Sequence, residues 1–286
     1  MKTLLLGANG QLGWELTRTC PAHVSLATCD VPKVDFFSST SIETCIEQTQ
    51  PDCIINAAAY TAVDKAEAEP EAANRINHEA VREIASICRK KRIRLIHIST
   101  DFVFSGEHFK PYLPQDKPTP ISVYGFTKLK GEEAVREILR DRAVIIRTTW
   151  LYSAHGSNFV KSMLNLMNTK SELNIIDEQI GTPTWANGLA LAVWAALDQN
   201  LSGTHHYSDA GIASWYDFAV AIQEEAMALD LIEKEVPIQP IPASQYPTPA
   251  QRPFYSVLDK TSLWESLDIK PIHWRRQLRS MLKEVK

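Results

Sequence analysis

Tyr124 and Lys128 stand four residues apart, a spacing that puts both on one face of a helix. Their types suit proton transfer. A free phenol titrates near about 10 and is a poor acid–base group at neutral pH. An ammonium beside it favours the phenolate and lowers that value, so Lys128 would prepare Tyr124 to act as a general acid. Upstream, Ser99-Thr100-Asp101 closes a short apolar run. A hydroxyl at such a strand end, Thr100 first and Ser99 as runner-up, can hydrogen-bond a carbonyl oxygen and polarise it. The set fits reduction of a ketone, with hydride delivered to carbon and a proton to oxygen. A Tyr and a Lys at this spacing are common, so the reading depends on its surroundings.

Hydride transfer needs a carrier, and the N-terminus offers a place for one. Gly7-Ala8-Asn9-Gly10-Gln11-Leu12-Gly13 follows a first apolar strand and opens a helical pattern, with glycines at G-x-x-G-x-x-G spacing. Gly7 allows a tight exit, Gly10 lets the backbone approach a pyrophosphate, and Gly13 lets helix and sheet pack closely. Asn9, Gln11 and Leu12 enter the cofactor site with the turn, and the free N–H groups of the helix face the phosphates. Asp30 closes the second strand at roughly the 20-residue distance where a carboxylate reads the adenosine ribose. It would repel a 2′-phosphate and favours NADH over NADPH. Arg18 and Lys33 are the nearest cations to offset it, and the choice of carrier stays open. Asp35 and Phe36 are placed to flank the adenine. Ala57, Ala58, Ala59 and Tyr60 follow the third strand, where small side chains let a cofactor lie over the strand end or a helix pack closely. Ser99, Tyr124 and Lys128 complete the cofactor set, Lys128 through the nicotinamide ribose.

These groups need elements to position them. Five apolar runs (3–6, 24–29, 53–56, 94–99 and 143–148) read as strands buried on both faces. Helical patterns at 11–19 and 71–91 lie between them, the second ending in a basic run that suits a helix C-terminus. The alternation predicts an α/β fold: a Rossmann-type doubly wound parallel sheet with a smaller C-terminal α/β substrate-binding lobe. The cofactor domain is expected over 1–150 and the lobe over 151–286, with part of 183–210 returning to the sheet. Right-handed crossovers bring all strand C-termini to one side, where ligands bind. Further helices are expected at 158–168, 185–198, 215–228 and near the C-terminus. Six prolines crowd 236–253, which reads as a surface loop and not a strand or helix interior.

Bulk properties narrow the partners. A net charge of −4 over 286 residues offers nothing to nucleic acid or a membrane surface. No apolar run reaches the roughly 18–20 residues of a membrane helix. The leading apolar stretch is too short for a signal peptide and runs straight into the glycine turn. Five cysteines, an odd number without C-x-x-C, argue a reduced cytoplasmic compartment, with Cys53 and Cys88 as small core residues. His205-His206 looks like a metal pair, but adjacent strand residues point to opposite faces, so a structural role is expected. Asp64, Glu67 and Glu69 read as a charge bias at a helix N-terminus.

Taken as a set, these stretches resemble the dTDP-4-dehydrorhamnose reductase family of the extended short-chain dehydrogenase/reductase superfamily. The match is carried by GANGQLGWEL at 7–16, NAAAYTAVDKAEAEP at 56–70, STDFVFSG at 99–106 and YGFTKLKGE at 124–132. It continues with RTTWLY at 147–152, GTPTWANGLA at 181–190 and RPFYSVLD at 252–259, nearly end to end. The resemblance implies reduction of the 4-keto group of dTDP-4-dehydro-L-rhamnose to dTDP-L-rhamnose, with NADPH or NADH as cofactor and a sugar nucleotide as the small-molecule partner. It implies that Thr100, Tyr124 and Lys128 carry the chemistry, and that Val63, Asp101, Phe102, Trp150 and Arg252 contact the substrate. Trp150 would cover the sugar or fill the core at a strand end, and Arg252 would pair with the diphosphate. Two departures stand near those contacts: Phe102 where a tyrosine is frequent, and Tyr255 where a smaller polar residue is. Members described as metal-bridged homodimers use a glutamate of the first helix, a position Glu15 matches. Gly188-Leu189-Ala190 offers no partner carboxylate, so Glu15 is expected to be solvated. No metal ligand is assigned, Mg2+ is unsupported, and a homodimer is left open. Two alternatives also stay open: a reductase or epimerase of another nucleotide sugar, and a non-catalytic NADP-binding regulatory subunit. The intact Thr100, Tyr124 and Lys128 argue against the second.

Overall fold

A computed structural model describes residues 1–285. In the first half, β1 (Lys2–Leu6) leads into α1 (Gln11–Arg18), β2 (Ser25–Cys29), α2 (Ser39–Thr49) and β3 (Cys53–Asn56). Two short helices, α3 (Val63–Ala68) and α4 (Pro70–Asn74), run through a π turn (Arg75–Glu79) into α5 (Ala80–Lys91). Then come β4 (Arg94–Thr100), α6 (Val123–Leu139) and β5 (Ala143–Thr148). The second half holds β6 (Leu151–Tyr152), α7 (Phe159–Thr169), β7 (Leu173–Ile176), β8 (Ile180–Gly181) and β9 (Thr184–Trp185). It continues through α8 (Ala186–Asp198), β10 (Gly203–His206), β11 (Ala213–Ser214) and α9 (Trp215–Met227). The last elements are β12 (Ile238–Ile241), α10 (Thr261–Leu267) and α11 (Trp274–Val285).

Six strands form one sheet in the order β10-β5-β4-β3-β1-β2, with every neighbouring pair parallel. The chain goes from β1 to β2 on one side and crosses to β3 on the other. The strand order therefore reverses at β1 and β3, and a crevice opens beyond their C-terminal ends. Side chains alternate across the sheet. Leu4 and Leu6 join Ile54, Leu95 and Ile145 beneath α2, α5 and α6. Leu5 joins Ile55, Ile96 and Ile146 beneath α1, α8 and α10. Burial on both faces is why the inner strands read as unbroken apolar runs. β2, at the edge, is only partly buried. A second core lies among α7, α9, α11 and β7, around Val160, Phe218, Ile222 and Leu278. No helix among the described residues is long and apolar enough to cross a membrane.

Three local expectations change. The helix expected over 71–91 is broken by the π turn, where regular helix bonding gives way so that Asn77 can be presented sideways. Its side chain accepts from the Tyr60 N–H (2.9 Å) and donates to the Tyr60 carbonyl (3.1 Å) and the Thr127 hydroxyl (3.2 Å). Helix α2, capped by Ser38 accepting from the Ser41 N–H, was not foreseen at all. The proline-rich segment contains β12, which pairs in parallel with β7 and sets Pro240 opposite Ile175. In a two-stranded ribbon each strand is an edge, so a residue without an N–H is tolerated on the outer side.

Candidate active site

A cleft of about 730 Å³ opens along the C-terminal ends of β1, β3, β4 and β5. The glycine turn lines one end. Gly7 has φ +82°, and a Cβ there would fall 2.5 Å from the Ala58 nitrogen. A Cβ on Gly13 would fall 2.1 Å from the Gly7 carbonyl oxygen. Gly10 differs, because the nearest atom to its missing Cβ is 3.5 Å away and it lines the cleft. It caps α1 with no side chain bonded to the first-turn N–H groups. A side chain on Gly10 would fill space that suits a phosphate, so the turn fits a dinucleotide.

Gln11, Leu12, Asp30, Phe36, Ala57, Ala58 and Ala59 also line the cleft. The Asp30 carboxylate is pinned by the Val31 and Asn9 N–H groups, both at 2.7 Å. Asn9 is not among the residues lining the cleft and helps shape the turn, its side chain donating to the Val31 carbonyl at 3.3 Å. Asp35 also lies outside and accepts from the Phe37 N–H at 2.9 Å. Tyr60 turns away, its hydroxyl donating to Glu69 at 2.8 Å. Arg18 cannot offset Asp30, because its guanidinium pairs with Glu15 and Glu284.

Two bonds start the helix that carries the acid–base pair. The Ser122 hydroxyl accepts from the Gly125 N–H at 3.1 Å, and Glu67 accepts from the Val123 N–H at 2.9 Å. Tyr124 and Lys128 then face the cleft beside Thr100. The Lys128 ammonium donates to the Ile98 carbonyl at 2.7 Å. Burial lowers it to about 8, against an opposing pull from Glu132. Burial pushes the Tyr124 phenol up to about 12, while the Thr100 hydroxyl draws it down and Asp101 adds to the rise. This reverses the direction expected of a phenol beside an ammonium, because desolvation dominates and the lysine is turned toward β4. The Thr100 hydroxyl donates to Asp101 at 3.0 Å and accepts from the Phe102 N–H at 3.2 Å. Burial raises the Asp101 carboxyl, with hydrogen bonds from Thr149, Ser256 and Thr100 acting the other way.

Ser99 lines the cleft, yet its hydroxyl donates to Glu132 at 2.6 Å. That leaves Thr100 as the hydroxyl for a carbonyl. Glu132 is fully buried and takes two bonds from Arg147, at 2.8 and 2.7 Å, and one from Arg136 at 2.8 Å. Burial pushes its carboxyl up, but Arg147, Ser99 and Arg136 outweigh that and hold it at about 2.

At the other end stand Val63, Phe102 and Trp150. The Phe102 ring meets Tyr124 edge-on at 5.5 Å. Trp150 does both things expected of it, lining the cleft and packing against the second core, and it stacks on Trp215, which the sequence reading missed. Thr149 and Asn158, also missed, line the cleft too, Asn158 donating to Gln11 of the glycine turn at 3.0 Å. Arg252 does not line the cleft; Asp64 holds its guanidinium at 2.7 and 3.0 Å. Tyr255 is likewise outside the lining and packs beside Tyr112, with centroids 6.5 Å apart.

Other polar residues resolve into specific bonds. Glu15 is fully buried, correcting the expectation that water surrounds it. It accepts from Ser153 and Asn187, both at 3.0 Å, and from Arg18 at 2.5 Å. Asp64, Glu67 and Glu69 each have a partner, beyond a general charge bias: Arg252, Val123 and Lys65. His206 is buried against Arg147 (3.3 Å), while His205 reaches the Ser202 carbonyl at 2.9 Å. Among the described residues no group of three or more His, Cys, Asp or Glu is arranged to hold a metal ion.

The whole of residues 1–286 matches the family described as RmlD substrate binding domain. The chain is 37% identical to the dTDP-4-dehydrorhamnose reductase of Escherichia coli (strain K12), over all of this chain and 98% of that protein. Its fold matches the crystal structure of a dTDP-4-dehydrorhamnose reductase from Clostridium acetobutylicum with a TM-score of 0.93. That pair is 37% identical, over 100% of this chain and 99% of the other. The same enzyme from Bacillus anthracis, solved in complex with NADP, also gives 0.93, at 31% identity over 99% of both chains.

Proposed function

The chain belongs to the RmlD substrate binding domain family, and on that premise we propose that it reduces the 4-keto group of dTDP-4-dehydro-L-rhamnose to dTDP-L-rhamnose. The observation that carries this reading is the meeting of Thr100, Tyr124 and Lys128 in the cleft that begins at the glycine turn. NADPH or NADH fits that cleft. Gly10 and the first N–H groups of α1 would hold the diphosphate, Asp30 and Phe36 the adenosine, and Lys128 the nicotinamide ribose. When bound, the cofactor supplies hydride to the carbonyl carbon.

The side chains do the rest. The Thr100 hydroxyl turns from Asp101 to the substrate oxygen and polarises it. Tyr124 keeps its proton through neutrality, since burial holds it up near 12, and passes it to that oxygen as alkoxide forms. Lys128 places its positive charge beneath the reacting groups, anchored on Ile98. Val63, Phe102 and Trp150 enclose the sugar and exclude water. Arg252 reaches a diphosphate only by exchanging Asp64 for it. A charged substrate and five free thiols both fit a cytoplasmic enzyme.

The test is loss of reduced-nicotinamide absorbance with dTDP-4-dehydro-L-rhamnose, run with NADPH and NADH in parallel. Turnover is expected, and Tyr124→Phe should lower kcat by about 10²–10⁴-fold with cofactor affinity kept. Cofactor binding without any turnover would sink the reductase reading and favour a regulatory nucleotide-binding role.

A further inference from the structure

We propose that Gly181 and Trp215 are positioning residues that hold the Trp150 indole as a wall of the substrate end of the cleft, and so set how tightly the sugar nucleotide binds. The inference rests on reading that cleft as the sugar-nucleotide site.

Trp150 is a constrained residue. It follows β5 with φ +43°, in the left-handed region that bulky side chains seldom adopt. Its carbonyl accepts from the Thr184 N–H at 3.1 Å, and the next residue, Leu151, pairs with Thr184. The backbone is thereby pinned to β9, and strain of this kind persists only where surrounding structure over-determines it.

Two contacts then fix the indole. Trp215 stacks on it with ring centroids 3.6 Å apart and planes 8° from parallel. Gly181 lies so close that a Cβ would fall 2.5 Å from Cε2 and 2.7 Å from Nε1 of Trp150. Gly181 is not among the glycines with positive φ, so its backbone accepts alanine, and the three atoms nearest the added methyl all belong to the indole. Both contacts come from one ribbon. Ala213 of β11 faces Gly181 of β8, and Ser214 faces Ile180. Ser214 caps α9 through a reciprocal pair of bonds with Asp217, and the first helical residue is Trp215. The ribbon and the cap therefore set the spacing of Gly181 and Trp215, and Trp150 takes its place against them. Trp150 and Trp215 line the cleft, whereas Gly181 does not and acts through Trp150.

The experiment compares wild type with Gly181→Ala, Trp215→Ala and Trp215→Phe. It measures steady-state reduction of dTDP-4-dehydro-L-rhamnose, NADPH affinity by fluorescence titration, and dTDP-L-rhamnose affinity by calorimetry. Gly181→Ala and Trp215→Ala should raise KM for the sugar nucleotide about tenfold while kcat falls less than about threefold, the pattern of lost uniform binding. NADPH affinity should hold, and Trp215→Phe, which keeps a stacking ring, should recover most of the KM. A KM within about twofold of wild type in both alanine variants overturns the proposal. A joint loss of kcat and NADPH affinity also overturns it, because that marks a merely structural role. Calorimetry separates the two layers. Wild type and variants binding dTDP-L-rhamnose equally well sinks the positioning role alone. A wild type that neither turns over nor binds dTDP-L-rhamnose sinks the reading of the site, and this inference with it.

Discussion

Lys128 is the side chain whose charge state is expected to limit activity at high pH. Burial lowers its ammonium to about 8, while Tyr124 is pushed up to about 12. The two signs combine simply. Below about 8 the lysine is charged and the phenol holds the proton it must give. Above that value the ammonium is lost although the phenol is still an acid. We expect kcat/KM to be level through neutrality and to fall about tenfold per pH unit on the alkaline side. Lys128→Arg keeps its charge, so it should be slower at neutrality yet lack the alkaline limb. A limb that survives unmoved in Lys128→Arg assigns it to another group. Stability follows the same shift: the lysine's folded value lies below its ordinary one, so its burial penalty is relieved as pH rises from about 8 toward the ordinary lysine range. The Tyr-Lys pair was legible from spacing because both residues sit on one helix. The direction of the tyrosine shift was not, because it depends on desolvation and on the turn of Lys128 toward Ile98.

At the scale of elements, α6, β4 and β5 are locked by one buried carboxylate. Glu132 of α6 receives Ser99 of β4 and Arg147 of β5, and Arg147 also donates to the Pro114 carbonyl at 3.2 Å. Glu132→Gln leaves the buried Arg147 guanidinium uncompensated, a loss of about 3–5 kcal/mol. For a chain of this size that is a drop in Tm on the order of 10 °C. Adding Arg147→Met should return part of it, because the pair is then removed together. The carboxyl is held down at about 2, so its contribution is full above the ordinary carboxylate range and is lost as pH falls toward 2. A thermal melt of Glu132→Gln that matches wild type at pH 7 would remove Glu132 from this role. The network also marks a limit of sequence reading. The inner strands and the glycine turn are local patterns, and they were readable to within a residue or two. Glu132 stands four residues beyond Lys128 in plain sight, but its partners come from strands 33 and 15 residues away in sequence. Asn77 and Trp215 are similar: one depends on a π turn, the other on a two-residue strand too short to show a period.

At the scale of the whole molecule, the N-terminal half is completed by contacts from the second half. A boundary near residue 150 was expected from the alternating pattern, which ends there. The sheet takes its sixth strand, β10, from within the 183–210 stretch expected to return to it, with Thr204 opposite Ile145. One of its faces is covered by Leu189, Val193 and Leu197 of α8 and by Leu263 and Leu267 of α10. The glycine turn is tied to the second half as well. His155 reaches the Asn9 carbonyl at 3.0 Å, Asn158 reaches Gln11 at 3.0 Å, and Glu15 holds Ser153 and Asn187. Removing residues 151–286 would expose Leu5, Ile55, Ile96 and Ile146 to water and leave β5 with an unpaired edge, a template for aggregation. We therefore expect a 1–150 fragment to be insoluble or to lack a cooperative melt, and to bind no NADPH. The full chain should bind NADPH and gain thermal stability from it, about 2.7 kcal/mol at a hundredfold excess over Kd. Circular dichroism melts of the fragment and the full chain, each with and without NADPH, decide the point. A soluble fragment whose melt NADPH shifts upward would show that the first half is an independent cofactor domain after all, and that the C-terminal contacts to α1 tune a site they do not build.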